Sequence, residues 1–431
     1  MEEPSRSGVV FLLGAGASKD AGFPLTEDFF DYLDRSFQEA IAVAGTPDER
    51  AMIEAEQRLY AFTRKHIRQA DSPFADPENF EYVIATVNQL RYRFRSKLFP
   101  FVEGWAPSLT EFSGFPLLQP GGLPQVLQPG GLARVKEWPR PFLDSTRAYA
   151  GKLSLSEGLT YDRLYNRVLW SVRNWLRLDA QHRDLTYLAE LARLARPNNV
   201  FTLNYDLSVE AACINAGIPF TTGFTPQKVR SPFPPGHLSQ GQWDPKQFDE
   251  ADHHVRLYKL HGSISWFHAG AVPELELAEY PPEEWPRLYE SGAQSKQKSA
   301  AWHDWDPPTM LFAGGTKLPG FEPYVTLYQR FLSLIRAAEV LVVIGCRWNF
   351  EPLLRDVIGR EATKGSSPLA LIHVTIGGDD QFPNVLTCGA KEAMSSGKLE
   401  KAIAHVQRDQ RDRAFHRDQV EHLNRMMPGS T

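Results

Sequence analysis

The chain has 431 residues, 42% of them apolar and 12% aromatic, enough to bury a real core in one large domain or a few small ones. Its 47 basic and 52 acidic residues leave a formal net charge of −5, so no global basic footprint for nucleic acid exists, although net charge does not report a local patch. The most apolar runs, Val9 to Leu13 and Val340 to Ile344, are far shorter than the roughly 20 residues that span a bilayer. The start, Met1-Glu2-Glu3-Pro4, lacks the basic region of a secretory signal. Cysteines are few and scattered (Cys213, Cys346 and Cys388), which argues for a reducing compartment and removes any Cys-x-x-Cys zinc ribbon. A cytoplasmic protein that neither enters a membrane nor binds nucleic acid directly is the expectation.

In chain order, Val9 to Leu13 reads as a buried strand that turns through glycines into a helix. Leu33 to Lys65 reads as helical, interrupted at Ala44-Gly45-Thr46-Pro47. Asn79 to Leu98 follows, with Phe80, Val83, Ile84, Val87 and Leu90 at helical spacing, and Leu164 to Leu178 is similar. Together these predict a mainly helical insertion over 31–184. Inside it Leu118-Gln119-Pro120-Gly121-Gly122-Leu123 is echoed as Leu127-Gln128-Pro129-Gly130-Gly131-Leu132, a turn-rich loop pattern. Further strands are predicted at Val200 to Leu203, Val255 to Leu260, Met310 to Phe312, Val340 to Ile344 and Leu369 to Val374. Phe224 to Pro245 and Pro281 to Asp306 read as loops, the second carrying Trp285, Trp302 and Trp305. After Leu399 the tail is charged and helix-prone, with Ile403, Val406, Phe415, Val420 and Leu423 on one face.

Near-continuous apolar strands separated by helices predict an α/β fold. Its core is a doubly wound, mostly parallel Rossmann-like sheet covered by helices, with the helical insertion added. Residues 1–30 and 185–385 would form that domain, and 386–431 a C-terminal helical tail.

Four places carry chemistry. Leu13-Gly14-Ala15-Gly16-Ala17-Ser18 follows a strand, where backbone N–H groups and a helix dipole suit a pyrophosphate; a plain tight turn is the alternative. The spacing differs from Gly-x-Gly-x-x-Gly, whose third glycine would fall at Lys19. Thr202-Leu203-Asn204-Tyr205-Asp206 ends a strand, where Asn204 could hold a water or a ribose hydroxyl, or where Asn204 and Asp206 could cap the next helix. Lys259-Leu260-His261-Gly262-Ser263 places a histidine at a strand end, either as a general base or as a structural residue. Ile344-Gly345-Cys346-Arg347 ends another strand. Cys346 has no local histidine partner, and a small residue bordering a phosphate is its plainer reading over a nucleophile.

Taken in order, Gly14-Ala15-Gly16-Ala17-Ser18, Leu203-Asn204-Tyr205-Asp206, Lys259-Leu260-His261-Gly262-Ser263 and Ile344-Gly345 resemble the sirtuin superfamily. Within it they resemble the bacterial sirtuin-like domains of anti-phage defence systems more than the deacylases. The resemblance covers about 8–30 and 185–380. It departs from the deacylases in lacking a four-cysteine ribbon. Phe23-Pro24 is also followed by Leu25-Thr26-Glu27, where deacylases carry an acidic residue, Phe and Arg. The resemblance implies NAD as substrate, no zinc, and cleavage of the nicotinamide–ribose bond. Asn204 would orient water or ribose, His261 would accept a proton, and Asp206 would hold the Asn204 loop or touch ribose. Gly14, Ala15, Gly16 and Ser18 would cradle the pyrophosphate, with Phe23, Pro24 and Thr202 beside them. Gly345 and Cys346 would border the phosphate–ribose side, and Thr375 the adenosine. It further implies an NAD-depleting effector acting as a homo-oligomer or with a HerA-type ATPase or short Argonaute, the helical parts making those contacts. A module that binds NAD or ADP-ribose without cleavage, and an ADP-ribosyl transferase, are the alternatives.

Overall fold

A computed structural model describes residues 8–69, 79–92, 160–177, 184–194, 198–225, 241–250, 255–268, 277–282, 285, 308–312, 322–346, 352–363, 369–376 and 385–410. The chain opens with β1 (Val9–Leu13), α1 (Ala15–Lys19), α2 (Phe29–Val43), α3 (Pro47–Gln69) and α4 (Phe80–Tyr92). A helix over 160–175, here α5, and α6 (Thr186–Leu191) lead into β2 (Asn198–Thr202) and α7 (Ser208–Asn215). Then come β3 (Phe220–Thr221), β4 (Gly241–Gln242), β5 (Val255–Lys259), β6 (Trp266–His268) and β7 (Leu277–Glu279). The last elements are α8 (Tyr324–Ala337), β8 (Val340–Ile344), α9 (Pro352–Thr363), β9 (Ala370–Thr375), β10 (Val385–Thr387), α10 (Ala390–Ser395) and a helical run over 398–410, here α11.

Seven strands form one sheet in the order β10-β9-β8-β1-β2-β5-β3, with every neighbouring pair parallel. Strand alternation divides the core between the two faces. Phe11, Leu13, Val200, Val342 and Ile344 join one apolar cluster, while Val10, Leu12, Phe201, Leu341 and Val343 join the other. The second face is covered by Leu327, Phe331 and Ile335 of α8 and by Leu354 and Ile358 of α9. The first face is covered by Phe29, Leu59, Val83 and Val172 of α2–α5 together with α6, α7 and the C-terminal helices. Helices on both faces of a parallel sheet make this a doubly wound α/β fold. The helices between β1 and β2 share one continuous core with the sheet.

On one side of β1 the chain adds β2, then the edge strand β3, then β5 between them; on the other it runs outward from β8 through β9 to β10. The strand order therefore reverses between β1 and β8, and ligands of open α/β sheets bind outside the carboxyl ends of strands at such a reversal.

Several expectations change. Met310 to Phe312 forms no sheet strand; Met310 makes an isolated antiparallel bridge to Gly262 and lies along the His261 loop. The expected loop from Phe224 to Pro245 contains β4, which joins β7 and β6 in a small antiparallel sheet, and Phe224 bridges Trp243. β3 and β10, unanticipated, extend the main sheet at its two edges. Trp285 is buried and its indole N–H donates to the Tyr280 carbonyl. Trp302, Trp305, the repeated Pro-Gly-Gly segments, Phe415, Val420 and Leu423 lie outside the described residues. Among the described residues, no helix is long and apolar enough to cross a membrane.

Candidate functional site

A cavity of about 620 Å³ opens at the carboxyl ends of the strands and reaches both Gly14 after β1 and Gly345 after β8. That volume suits a small-molecule site. An apolar void of about 10 Å³ among Phe29, Leu33, Tyr60 and Val83 is, by contrast, too small and dry to hold a ligand.

The glycines at the strand reversal interlock. Gly14 N–H donates to the Ile344 carbonyl (2.9 Å) and Gly16 N–H to the Gly345 carbonyl (3.0 Å). A Cβ on Gly14 would stand 2.6 Å from the Gly345 oxygen, and one on Gly16 would stand 2.8 Å from the Gly345 Cα. These positions require glycine because two backbones cross there. These two N–H groups are therefore spent on the Ile344 and Gly345 carbonyls. Ala15, Gly16 and the exposed Lys19 line the cavity, and Lys19 is the single Lys or Arg among its described lining residues.

Asn204 lies on the cavity wall directly after the β2 end. Its Nδ2 donates to the Gly14 carbonyl (3.0 Å) and to Ser18 Oγ (3.0 Å). The Gly14 oxygen can only accept, so the amide orientation is fixed. Both amide hydrogens are engaged, and Oδ1 keeps its accepting capacity. Thr202 Oγ1 accepts the Asn204 N–H (3.0 Å). Ser18, buried, also meets Ser208 Oγ at 3.0 Å. Ser18, Thr202 and the buried Phe23 are not on the cavity wall; the first two hold Asn204 from behind and Phe23 belongs to the core. Pro24 does line the cavity.

Asp206 is buried, touches the cavity, and its Oδ1 accepts the N–H of Ser208, the first residue of α7 (2.9 Å). Beneath it Lys259 donates to the Asp206 carbonyl (2.5 Å) and to Glu210 Oε1 (2.6 Å). Burial pushes the Glu210 carboxyl up, and Lys259 pulls it back down.

His261 is 1% exposed and lines the cavity. Gly262, at φ +85°, turns the chain sharply behind it, and a Cβ there would stand 2.3 Å from the Thr309 oxygen. Leu311 N–H donates to the His261 carbonyl (2.8 Å). The Tyr205 hydroxyl lies between the Leu311 oxygen (2.5 Å) and Glu81 Oε1 (3.0 Å), and its ring centroid is 6.2 Å from that of His261.

Gly345, Cys346 and Thr375 lie on the wall at the β8 and β9 ends, with His373 beside them. The structure thus brings Gly14, Ala15, Gly16, Pro24, Asn204, Asp206, His261, Gly345, Cys346 and Thr375 to one cavity. The sequence reading missed Glu27, Glu81 and Trp175, which the cavity also touches. Glu81 and Trp175 come from α4 and α5, whose apolar spacing announces core packing and conceals any role at a site. It also missed Cys388 and Gly389, which follow β10 in a stretch assigned to a tail. Asp20 Oδ2 accepts the Lys391 N–H (2.8 Å) and so draws this C-terminal wall against α1. Burial pushes the Cys388 thiol up, away from thiolate chemistry. Among the described residues no cluster of three His, Cys, Asp or Glu side chains is arranged to hold a metal ion.

By structure the chain is similar to Sir2 proteins. One is Sir2 in complex with the inhibitor EX-527, 2′-O-acetyl-ADP-ribose and a deacetylated p53 peptide. It is 13% identical, with 92% of this chain and 94% of that one covered, at a TM-score of 0.34. A second comes from work on the mechanism and regulation of Sir2 enzymes. It is 12% identical, with 94% and 93% covered, at a TM-score of 0.33. No family model matches the chain, and no curated protein matches it.

Proposed function

We propose that the chain is an NAD-consuming enzyme that cleaves the nicotinamide–ribose bond with water. The observation that carries this reading is that Asn204 and His261 line one cavity at the strand reversal, with the Asn204 amide held so that its oxygen accepts. The motif resemblance to sirtuin-like domains supports the same assignment.

The chemistry follows from these groups. Nicotinamide leaves the ribose C1′ with the bonding electron pair, and positive charge develops on the sugar. Water adds its oxygen to C1′ and loses a proton, giving ADP-ribose. Asn204 Oδ1 accepts a hydrogen bond from the water and orients it; His261 takes the proton. The acidic side chains Glu27, Glu81 and Asp206 bias the cavity toward the developing cation. Lys19, the single Lys or Arg among the described lining residues, serves the phosphates. On this reading the protein is the NAD-depleting effector of an anti-phage system, acting as a homo-oligomer or with a second component such as a HerA-type ATPase or short Argonaute.

The test is nicotinamide release from NAD by the purified protein, alone and with the product of a neighbouring gene. Wild-type turnover is expected, with kcat lowered about 10²- to 10⁴-fold in Asn204→Ala and in His261→Ala. If NAD binds and is recovered intact under every condition, the cleavage reading fails and a binding module takes its place.

A further inference from the structure

One side of the cavity is built by helices that precede β2, and it has a distinct chemistry. Asn79 Oδ1 accepts the Glu81 N–H (3.0 Å), capping α4 and fixing Glu81 in its first turn. A carboxylate is favoured there by the helix dipole. Glu81 Oε1 lies 3.0 Å from the Tyr205 hydroxyl, whose one hydrogen is shared with the Leu311 carbonyl at 2.5 Å. Tyr205 follows Asn204 in the chain, and its ring faces His261 across 6.2 Å. Tyr205 thus stands between Glu81 and the two residues assigned to the cleavage. Next to Glu81 the Phe80 ring meets the half-buried Trp175 edge-on, with centroids 5.9 Å apart at 80°. Phe80, Glu81 and Trp175 all reach the cavity.

An aromatic corner with one carboxylate matches a flat ring that carries positive charge. Aromatic faces attract a cation through their quadrupole, and the carboxylate supplies the opposite charge. A neutral ring of the same shape gains the stacking but not the charge attraction. We propose that Trp175 and Glu81, with the buried Phe80 ring bracing the tryptophan, form the subsite for the pyridinium ring of the substrate, and that Glu81 determines specificity for the oxidised, cationic dinucleotide over its neutral reduced form. This inference rests on the NAD reading and adds the helical layer to the site.

The experiment measures binding by calorimetry in a His261→Ala background, which spares the ligand, with and without Glu81→Gln. The probes are NAD, NADH and ADP-ribose. Gln keeps the length of the side chain and a partner for Tyr205, and equal melting temperatures confirm that the fold is retained. Glu81→Gln is expected to weaken NAD about tenfold and to leave NADH and ADP-ribose within about twofold. Trp175→Leu is expected to weaken both dinucleotides while sparing ADP-ribose, which lacks the ring. If Glu81→Gln weakens all three ligands together, or none, the subsite assignment is overturned while the NAD reading stands. If the parent binds neither NAD nor ADP-ribose, the NAD reading itself falls and takes the subsite with it.

Discussion

Gly345 shows how far one residue can constrain this site. It holds φ +65° at the end of β8, and a Cβ on it would stand 2.3 Å from the Ala17 nitrogen. Gly345→Ala meets a left-handed backbone penalty and a clash with backbone that has no rotamer to yield. A loss of about 2–4 kcal/mol is expected in urea unfolding, together with loss of nicotinamide release. Gly359→Ala is the internal control. It lies inside α9 with nothing within 4 Å of an added Cβ, so it should be neutral or stabilise by up to about 1 kcal/mol. Equal losses at the two positions would refute the interlock. The glycines at 14, 16 and 345 were legible in the sequence as strand-end glycines. Their reason was not, because Gly14 and Gly16 pack against a partner far along the chain and no local pattern reports that crossing. Asn204 was legible as a strand-end polar residue, while its orientation depends on the Gly14 carbonyl, a contact only the folded sheet creates.

At the scale of elements, the Asn204 loop is suspended between β2, β5 and α7. Lys259 of β5 and Glu210 of α7 form its anchor, with side chains 0% and 2% exposed. Removing one partner strands a buried charge, so Lys259→Met should cost about 3–5 kcal/mol. Lys259→Met with Glu210→Leu removes both charges and should recover most of that stability in chemical denaturation. The Asp206 carbonyl still lacks its donor in the double variant. Its kcat for nicotinamide release should therefore stay low while its affinity for ADP-ribose is retained. Recovery of kcat along with stability would mean that the pair only braces the fold. β1 and β8 were readable as unbroken apolar runs, whereas β2 and β5 showed themselves only through short apolar stretches, because Asn198, Asn199, Arg256 and Lys259 interrupt them. β3 and β10, of two and three residues, are too short to show any period. Met310 to Phe312 was misread because three apolar residues look alike whether they join a sheet or seal a loop; here they pack along His261.

For the whole molecule, the decisive feature is that separate parts of the chain share walls. The helical stretch that looked like an insertion lends Glu81 and Trp175 to the cavity, and residues after β10 lend Cys388 and Gly389. Glu279 of β7 is one of the links between the small antiparallel sheet and the main one, beside the backbone bonds of Asp244 to Gly223 and of Thr225 to Gln242. Glu279 Oε2 accepts from Thr222 Oγ1 (2.6 Å), just past β3, and its Oε1 accepts from Trp266 Nε1 (3.1 Å) and Ser265 Oγ (3.2 Å). Burial pushes this carboxyl up to about 7; the Glu210 charge adds to the rise, while Thr222, Lys259 and Trp266 oppose it. An unfolded glutamate titrates near 4.3, so the folded state keeps the proton that the unfolded chain releases as pH rises. Stability from this group is therefore fully present below about 4.3, declines from there to about 7, and is gone above that. Allowing for its residual exposure, the change is on the order of 2 kcal/mol. Glu279→Gln replaces the protonated acid with a neutral amide that accepts from Trp266 and can turn its NH₂ toward Thr222. Melting curves from pH 4 to 9 should show the variant gaining on the wild type between about pH 5 and 7 and keeping a constant lead above it. A difference that is flat across the whole range would mean that Glu279 is ionised throughout and that this link between the two sheets is a charged one.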